Sequence, residues 1–198
     1  MPSPQSRLYL TLTNNDAVTD PEGCLKAAAE AGDVAALLIG AGTDGAKGLL
    51  AVAHAYDIAV IVDQDVALAK ALDADGVEVG ASLEAYQAAR FQLGDDKIVG
   101  IAPTESRHAA MELAEAGAAY VSFADDPADP DSLSGWWAQV MEIPCVAHMA
   151  GQDDEVLSAA GAGIEFIRPD ESSWRTPEAA AKRVAHLNQL IATAGAAE

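Results

Sequence analysis

Short runs of apolar residues alternate along the chain with longer, alanine-rich segments of mixed polarity. Short apolar runs rich in β-branched residues are typical of strands that are buried on both faces of a parallel sheet. The pattern predicts eight such strands: Arg7–Leu12, Val34–Ile39, Ile58–Val62, Gly76–Val79, Lys97–Ile101, Ala119–Phe123, Pro144–Ala147 and Ile164–Ile167.

A helical segment follows every predicted strand. The first begins at Asp20-Pro21-Glu22, which supplies an N-cap, a proline in the first turn and an acid against the helix dipole. The last begins in the same way at Thr176-Pro177-Glu178, and Ser82 and Thr104 are the predicted N-caps of two central helices. The apolar stripe of the last helix is Ala180, Val184, Leu187 and Ile191.

Regular alternation of strands and helices predicts an α/β fold with a parallel sheet. The count of eight favours a closed barrel, so we expect residues 1–198 to form a single (β/α)8 TIM barrel domain.

The overall charge limits the kinds of partner. Thirty-one acidic residues against eleven basic ones give a formal net charge of −20, which repels nucleic acid and anionic membranes. The chain shows no signal-peptide core and no membrane-length apolar run, so we expect a cytoplasmic protein. Cys24 and Cys145 lack metal or redox spacing and are interpreted as buried thiols.

In a barrel of this kind, chemistry takes place at the carboxyl ends of the strands. Asp63 ends the third strand and Glu78 the fourth, so the two carboxylates lie on neighbouring strands and would suit Mg²⁺. Solvated or capping acids are the competing interpretation. Asp65 is the expected cap of the helix that follows Asp63.

Two further polar residues end strands on the other side of the barrel. Of the four histidines, His148 alone follows a strand, where an imidazole would exchange protons near neutral pH. A hydrogen-bonded loop histidine is the competing interpretation. Arg168 follows the eighth strand and would bind an anion, unless Asp170 and Glu171 neutralise it. The loop Asp125–Asp131 is interpreted as a rigid, solvated segment with a helix cap.

The order of segments resembles the thiamine phosphate synthase/TenI family of (β/α)8 barrels. The best stretch runs from Ile61-Val62-Asp63-Gln64 to Ala74-Asp75-Gly76-Val77-Glu78-Val79-Gly80, which is similar to the family's INDR…ADGVHLGQ. Further matches are Ala116-Gly117-Ala118-Ala119-Tyr120-Val121 and Pro144-Cys145-Val146-Ala147.

The resemblance implies a synthase that joins a pyrimidine diphosphate to a thiazole phosphate with Mg²⁺, or a TenI-type enzyme that aromatises the thiazole phosphate. Asp63 keeps the place of a metal-binding aspartate, and Gln64 takes the place of the following arginine as a ligand-binding residue. Most of the family's other functional residues are replaced in this chain. The family's glutamine, arginine and lysine after the second strand become Leu37, Ile39 and Ala41, and its second metal carboxylate falls near Leu83.

The family's phosphate-binding loops are also altered. Its Gly-Pro loop after the sixth strand becomes Ala124-Asp125, and its twin glycines after the seventh become Met149-Ala150. Each change removes a cation, a metal ligand or a backbone that cradles phosphate, and charge-assisted hydrogen bonds are worth about 1.5–3 kcal/mol each.

Three hypotheses follow. The first is a synthase-like barrel that has lost synthase activity and binds an unknown small molecule or protein partner. The second is activity in thiamine biosynthesis, as a divergent synthase or as a TenI-like aromatase that uses His148. The third is a different barrel enzyme with acid–base chemistry at Asp63, Glu78 and His148.

Two adjacent tryptophans, Trp136 and Trp137, follow the acidic loop. Neighbouring helical residues do not share a face, so at least one is expected to pack onto the barrel. An exposed second tryptophan would favour a homo-oligomer or a protein partner.

Overall fold

The computed structural model describes residues 5–13, 18, 20–40, 42–43, 45–149 and 151–195, and gives the backbone alone for residues 172 and 173. The strands are Arg7–Leu12 (β1), Val34–Ile39 (β2), Ala59–Asp63 (β3), Gly76–Val79 (β4), Ile98–Ile101 (β5), Val121–Phe123 (β6), Cys145–Met149 (β7) and Phe166–Pro169 (β8). The helices are Pro21–Ala31 (α1), Ala46–Ala55 (α2), Val66–Leu72 (α3), Leu83–Leu93 (α4), Arg107–Glu115 (α5), Leu133–Val140 (α6), Asp153–Gly161 (α7) and Pro177–Gly195 (α8). A 3-10 helix, Glu171–Trp174, lies between β8 and α8.

The eight strands pair in chain order, all parallel, and β8 pairs with β1 to close the barrel. This confirms the predicted (β/α)8 fold. The strand limits differ from the predicted ones by two residues or fewer, which is the usual uncertainty at the ends of elements.

The predicted starts of α1, α4 and α8 are confirmed by their N-cap hydrogen bonds. The side chains of Asp20, Ser82 and Thr176 each accept a hydrogen bond from the backbone N–H three residues further on. Asp65 caps α3 in the same way, as expected. The apolar stripe of α8 is buried, and the helix packs against α1 and α7.

The predicted N-cap at Thr104 is wrong. Ser106 caps α5 by accepting from Ala109 N, while the Thr104 hydroxyl accepts from Ser106 N and so stabilises the turn before the helix. Two hydroxyl residues lie within three positions here, and the one next to the first helical residue forms the cap.

Strand side chains divide between two cores. Outward-facing residues form a large core with the helices, whereas inward-facing residues form a small core inside the barrel. The Tyr9 hydroxyl on β1 lies 2.9 Å from that of Tyr120, the residue directly before β6. These strands are not neighbours in the sheet, so their side chains meet across the barrel interior.

One glycine makes room for this contact. A Cβ atom on Gly100 would lie 2.0 Å from the Tyr120 ring, which no side chain tolerates. Gly100 therefore allows the Tyr120 ring to cross the interior of the barrel.

The tryptophan pair divides as expected. Trp137 is fully buried and donates from its indole N–H to Ile143 O at 2.7 Å, which confirms that one ring packs onto the barrel. Trp136 is half-buried, and the Arg107 guanidinium lies 4.7 Å from its ring centroid. A role for Trp136 in oligomerisation stays a prediction.

Both cysteines are buried, as interpreted from the sequence. Burial raises the pKa of each thiol, to about 11 for Cys24. Among the described residues, no helix combines the length and apolar character that crossing a membrane requires.

Candidate active site

A buried polar network fills the middle of the barrel. The Glu78 carboxylate accepts two hydrogen bonds from the Arg168 guanidinium, at 3.0 Å to Oε1 and 2.5 Å to Oε2. The hydroxyls of Tyr120 and Ser122 also donate to Glu78 Oε2, at 3.0 and 3.3 Å. The guanidinium lies over the Tyr9 ring, 4.3 Å from its centroid. Inward-facing residues on or next to β1, β4, β6 and β8 thus form one cluster.

This network is almost completely dehydrated. Both Glu78 and Arg168 are 2% exposed. Burial acts to lower the pKa of Arg168, but the Glu78 charge outweighs it and the pKa rises, so the guanidinium stays charged. Burial raises the pKa of Tyr9 and of Tyr120, and both hydroxyls stay protonated. The predicted catalytic acid and the predicted anion-binding arginine are therefore partners of each other.

Asp63 lies beside this pair. It ends β3 opposite Glu78 on β4, as the sequence predicted, and is half-buried. Gln64 follows with a φ of 57° and donates from its backbone N–H to Glu78 O at 2.9 Å. Its side chain is exposed at the carboxyl end of the strands. A ligand-binding role for Gln64 stays a prediction.

Burial, and after it the charge of Glu78, raises the pKa of Asp63. The folded protein holds this proton more tightly than the unfolded chain does, so ionised Asp63 lowers stability above its folded pKa. Replacing Asp63 with asparagine should therefore raise the Tm at pH 7 by about 1–3 °C. The gain should disappear towards about pH 3, below the unfolded pKa of ~3.9. Thermal unfolding at both pH values measures this.

Asp96→Asn is the matched control, because it removes one negative charge from an exposed turn. An equal rise in both variants would mean that net charge, rather than burial of Asp63, is responsible.

His148 lies on the other side of the pair. It is opposite Arg168 in the register of β7 and β8, and its side chain is exposed. Partial burial of the ring, and next the Arg168 charge, lowers the pKa of His148 despite the opposing charges of Glu78 and Asp170. The imidazole is therefore neutral at pH 7, the form that accepts a proton. The structure thus brings four of the predicted residues together, because Asp63 is the register partner of Glu78, His148 is that of Arg168, and Glu78 binds Arg168.

Internal carboxylates occupy the loops at this end of the barrel. Glu155 Oε2 accepts from the backbone N–H groups of Gly151 and Gln152, each at 2.8 Å, at the start of α7. Asp125 accepts from the N–H groups of Leu133 and Ser134 at the start of α6. Free N–H groups at helix starts are the usual binding site for phosphate. Here the chain supplies its own anions.

A third carboxylate connects the segment after β8 to the residue after β1. Glu171 Oε2 accepts from the backbone N–H and the hydroxyl of Thr13, at 3.2 and 3.1 Å. The sequence analysis named Asp170 and Glu171 as possible partners of Arg168, whereas the structure pairs Arg168 with Glu78. The predicted cap in the loop Asp125–Asp131 is present as the Asp125 contacts.

Two residues of β2 that the resemblance aligns with the family's glutamine and arginine do not face the barrel interior. Leu37 and Ile39 belong to the outer core, and the inward-facing residues of this strand are Ala36 and Leu38. A shift of one residue in either direction would place an inward-facing residue at these positions, and neither Ala36 nor Leu38 supplies a cation. Ala41 and Ala150 lie outside the described residues.

The residues around Asp63 do not fit a magnesium site. Mg²⁺ binds hard oxygen ligands at near-octahedral geometry, normally through one or two free carboxylates together with substrate phosphates. Glu78 is occupied by Arg168, and Leu83 stands where the resemblance implies the second carboxylate. Among the described residues, no group of three or more metal-binding side chains is present.

The sequence interpretation missed Tyr9, Tyr120 and Ser122. A weak signal existed, because each is a polar residue within an otherwise apolar buried strand. Such residues need a partner inside the barrel. Strand alternation alone does not say which residue across the barrel that partner is.

Comparison with known proteins agrees with this architecture. Residues 24–168 match the family model described as thiamine monophosphate synthase. The chain is 39% identical over 147 residues to a thiamine-phosphate synthase of Erythrobacter litoralis, covering 69% of each chain. It is 30% identical over 212 residues to the one from Hyphomonas neptunium, covering 96% of each.

A solved structure shows the same fold. The thiamine phosphate pyrophosphorylase from Pyrococcus furiosus superposes with a TM-score of 0.78 at 21% identity, over 96% of this chain and 97% of that one. The family match and the two synthase relatives, together with the shared barrel, show that the chain belongs to the thiamine monophosphate synthase family.

Proposed function

We propose that this barrel keeps the family scaffold but does not join a pyrimidine diphosphate to a thiazole phosphate, and that its mouth binds a small molecule without phosphate. The observation that carries the proposal is that internal carboxylates occupy the groups suited to hold phosphate. Glu155 binds the two N–H groups directly before α7, Asp125 binds the first two N–H groups of α6, and Glu78 binds Arg168.

The energetic argument starts with Arg168. Arg168 is 2% exposed, so the guanidinium would have to move away from Glu78 to reach a substrate phosphate at the mouth of the barrel. The buried carboxylate would then lose its counter-charge. Breaking a buried pair in this way costs about 3–5 kcal/mol, so phosphate binding at Arg168 would start from that deficit.

The loop at α7 presents the same obstacle in a second form. A phosphate there would have to displace Glu155 from two N–H groups. It would also approach Asp153 and Asp154 in the first turn of the helix. The carboxylates of these two residues would repel a phosphate, and the overall charge of −20 adds to the repulsion.

The groups left at the mouth favour a ligand of another kind. Gln64 and His148 are exposed there, and Asp63 is half-buried. An amide, a neutral imidazole and a carboxylate suit a neutral or cationic heterocycle that donates hydrogen bonds.

The test is a thermal-shift titration with thiamine phosphate, and separately with pyrophosphate, both with Mg²⁺, run beside an assay for thiamine phosphate formation. The Erythrobacter litoralis synthase serves as positive control under the same conditions. We expect no product and no shift in this chain. A ligand at one hundred times its Kd adds about 2.7 kcal/mol, or roughly 5–10 °C at this size. A shift of that order, or product above background, contradicts the proposal.

A second candidate is continued activity in thiamine biosynthesis, as a divergent synthase or a TenI-like aromatase. The identity to synthases favours the first form. The neutral imidazole of His148 at the mouth favours the second, because aromatisation needs a proton acceptor. Turnover of the thiazole phosphate that is lost in His148→Ala but kept in His108→Ala, on the exposed face of α5, would establish it.

A further inference from the structure

The opposite end of the barrel contains an apolar cavity of about 240 Å³. Its walls come from the first residues of several strands, including Ala59, Ile98 and Phe166, and from Pro144 just before β7. The cavity therefore opens at the amino ends of the strands. Ligands of barrels of this kind normally bind at the carboxyl ends, and the amino ends contribute to stability.

Small side chains create this space. Ala36 on β2 and Ala59 on β3 are register partners and both line the cavity. The interior of such barrels is normally filled by bulky branched side chains. Ile61 and Ile98 line the same space but leave it unfilled.

The inner end of the cavity is closed by two aromatic rings. Tyr9 and Tyr120 meet edge to face, with centroids 5.9 Å apart and an interplanar angle of 86°. Their hydroxyls bond to each other, and that of Tyr120 also donates to Glu78. The hydroxyls are thus engaged in the polar network, and ring carbons are left to face a ligand.

One charged residue lies at the rim, and it is already neutralised. Arg7 donates to both carboxylate oxygens of Asp33, at 2.6 and 2.7 Å. An anionic ligand would have to compete with Asp33 for this guanidinium. The cavity therefore suits a ligand without charge.

We propose that this cavity binds a neutral aromatic molecule of one or two fused rings. An apolar cavity of about 150 Å³ is known to bind benzene, so the larger volume here accommodates a bicyclic ring. The rings of Tyr9, Tyr120 and Phe166 add edge-to-face contacts to the burial of apolar surface. The proposal is independent of the function proposed for the other end of the barrel.

The experiment is an NMR titration with indole, with ¹³C label in the δ1 methyl groups of isoleucine. Ile61 and Ile98 line the cavity, whereas Ile191 lies in the outer core on α8. We expect saturable shifts at Ile61 and Ile98 and none at Ile191. No shift at Ile61 and Ile98, or equal shifts at all three, overturns the proposal.

Two variants reduce the cavity. Ala59→Leu places a larger side chain in the wall, and Ala119→Leu places one at the exposed rim, where folding is least affected. Each should weaken indole binding at least tenfold. Ala51→Leu, on the exposed face of α2, is the matched control and should bind as the wild type does. Wild-type affinity in Ala119→Leu and in a folded Ala59→Leu would overturn the proposal.

The charge of the ligand is tested separately with indole-3-carboxylate. It should bind at least tenfold more weakly than indole, because the rim offers no free cation. Equal or tighter binding of the carboxylate would overturn the assignment of a neutral ligand.

Discussion

Replacing Glu78 with glutamine is expected to lower the free energy of unfolding by about 3–5 kcal/mol. The substitution keeps the shape of the side chain but leaves the Arg168 charge without a counter-charge in a site that is 2% exposed. Urea denaturation at pH 7 measures the change.

Two further variants separate the effect of the buried charge from other effects of the substitution. Glu112→Gln removes one charge from the exposed surface of α5 and should change stability by less than about 0.5 kcal/mol. The double variant Glu78→Gln/Arg168→Met should recover part of the loss, because no charge is left buried. The recovery should be incomplete, since Tyr120 and Ser122 lose their charged acceptor. A cost below about 1 kcal/mol for Glu78→Gln would mean that water reaches the pair.

Replacing Asp125 with alanine is expected to lower the free energy of unfolding by about 1.5–5 kcal/mol. Its carboxylate accepts from two backbone N–H groups at the start of α6, and loss of a helix cap costs about 0.5–2 kcal/mol. It also accepts from the hydroxyl of Ser134, which is fully buried and would be left without this partner, at about 1–3 kcal/mol. Chemical denaturation measures the sum.

Asp129→Ala is the matched control in the same loop. Asp129 is exposed and accepts from Asp131 N within a local turn, so its loss should cost less than about 1 kcal/mol. Equal costs for the two variants would contradict the role of Asp125 at the helix start.

The fold was predictable because its signals are local. Each strand is an apolar run, and caps such as Asp20 and Ser82 act within three residues of themselves. Thr104 shows the limit of this reasoning, since Ser106 competes for the same helix start and only the backbone path decides between them.

The site was predictable in its positions but not in its pairings. Asp63, Glu78, His148 and Arg168 lie at strand ends, which the fold brings to one end of the barrel. The sequence offered Asp170 and Glu171 as neighbours for Arg168, yet its partner Glu78 is 90 residues away. The sequence did not show that Leu38 faces the barrel interior, because β2 is apolar throughout and has no alternation that would indicate which residues face inward.

The central network also bears on how the barrel can assemble. Glu78 and Tyr9 belong to the first four strands, whereas Arg168, Tyr120 and Ser122 lie on or next to the last four. A half-barrel made of either set would contain Glu78 or Arg168 without the opposite charge that pairs with it in the complete barrel. Neither half gains this network by folding first, so we expect closure of the ring and pairing of the charges to occur together. The folding of this chain should accordingly be cooperative, with no stable four-strand intermediate.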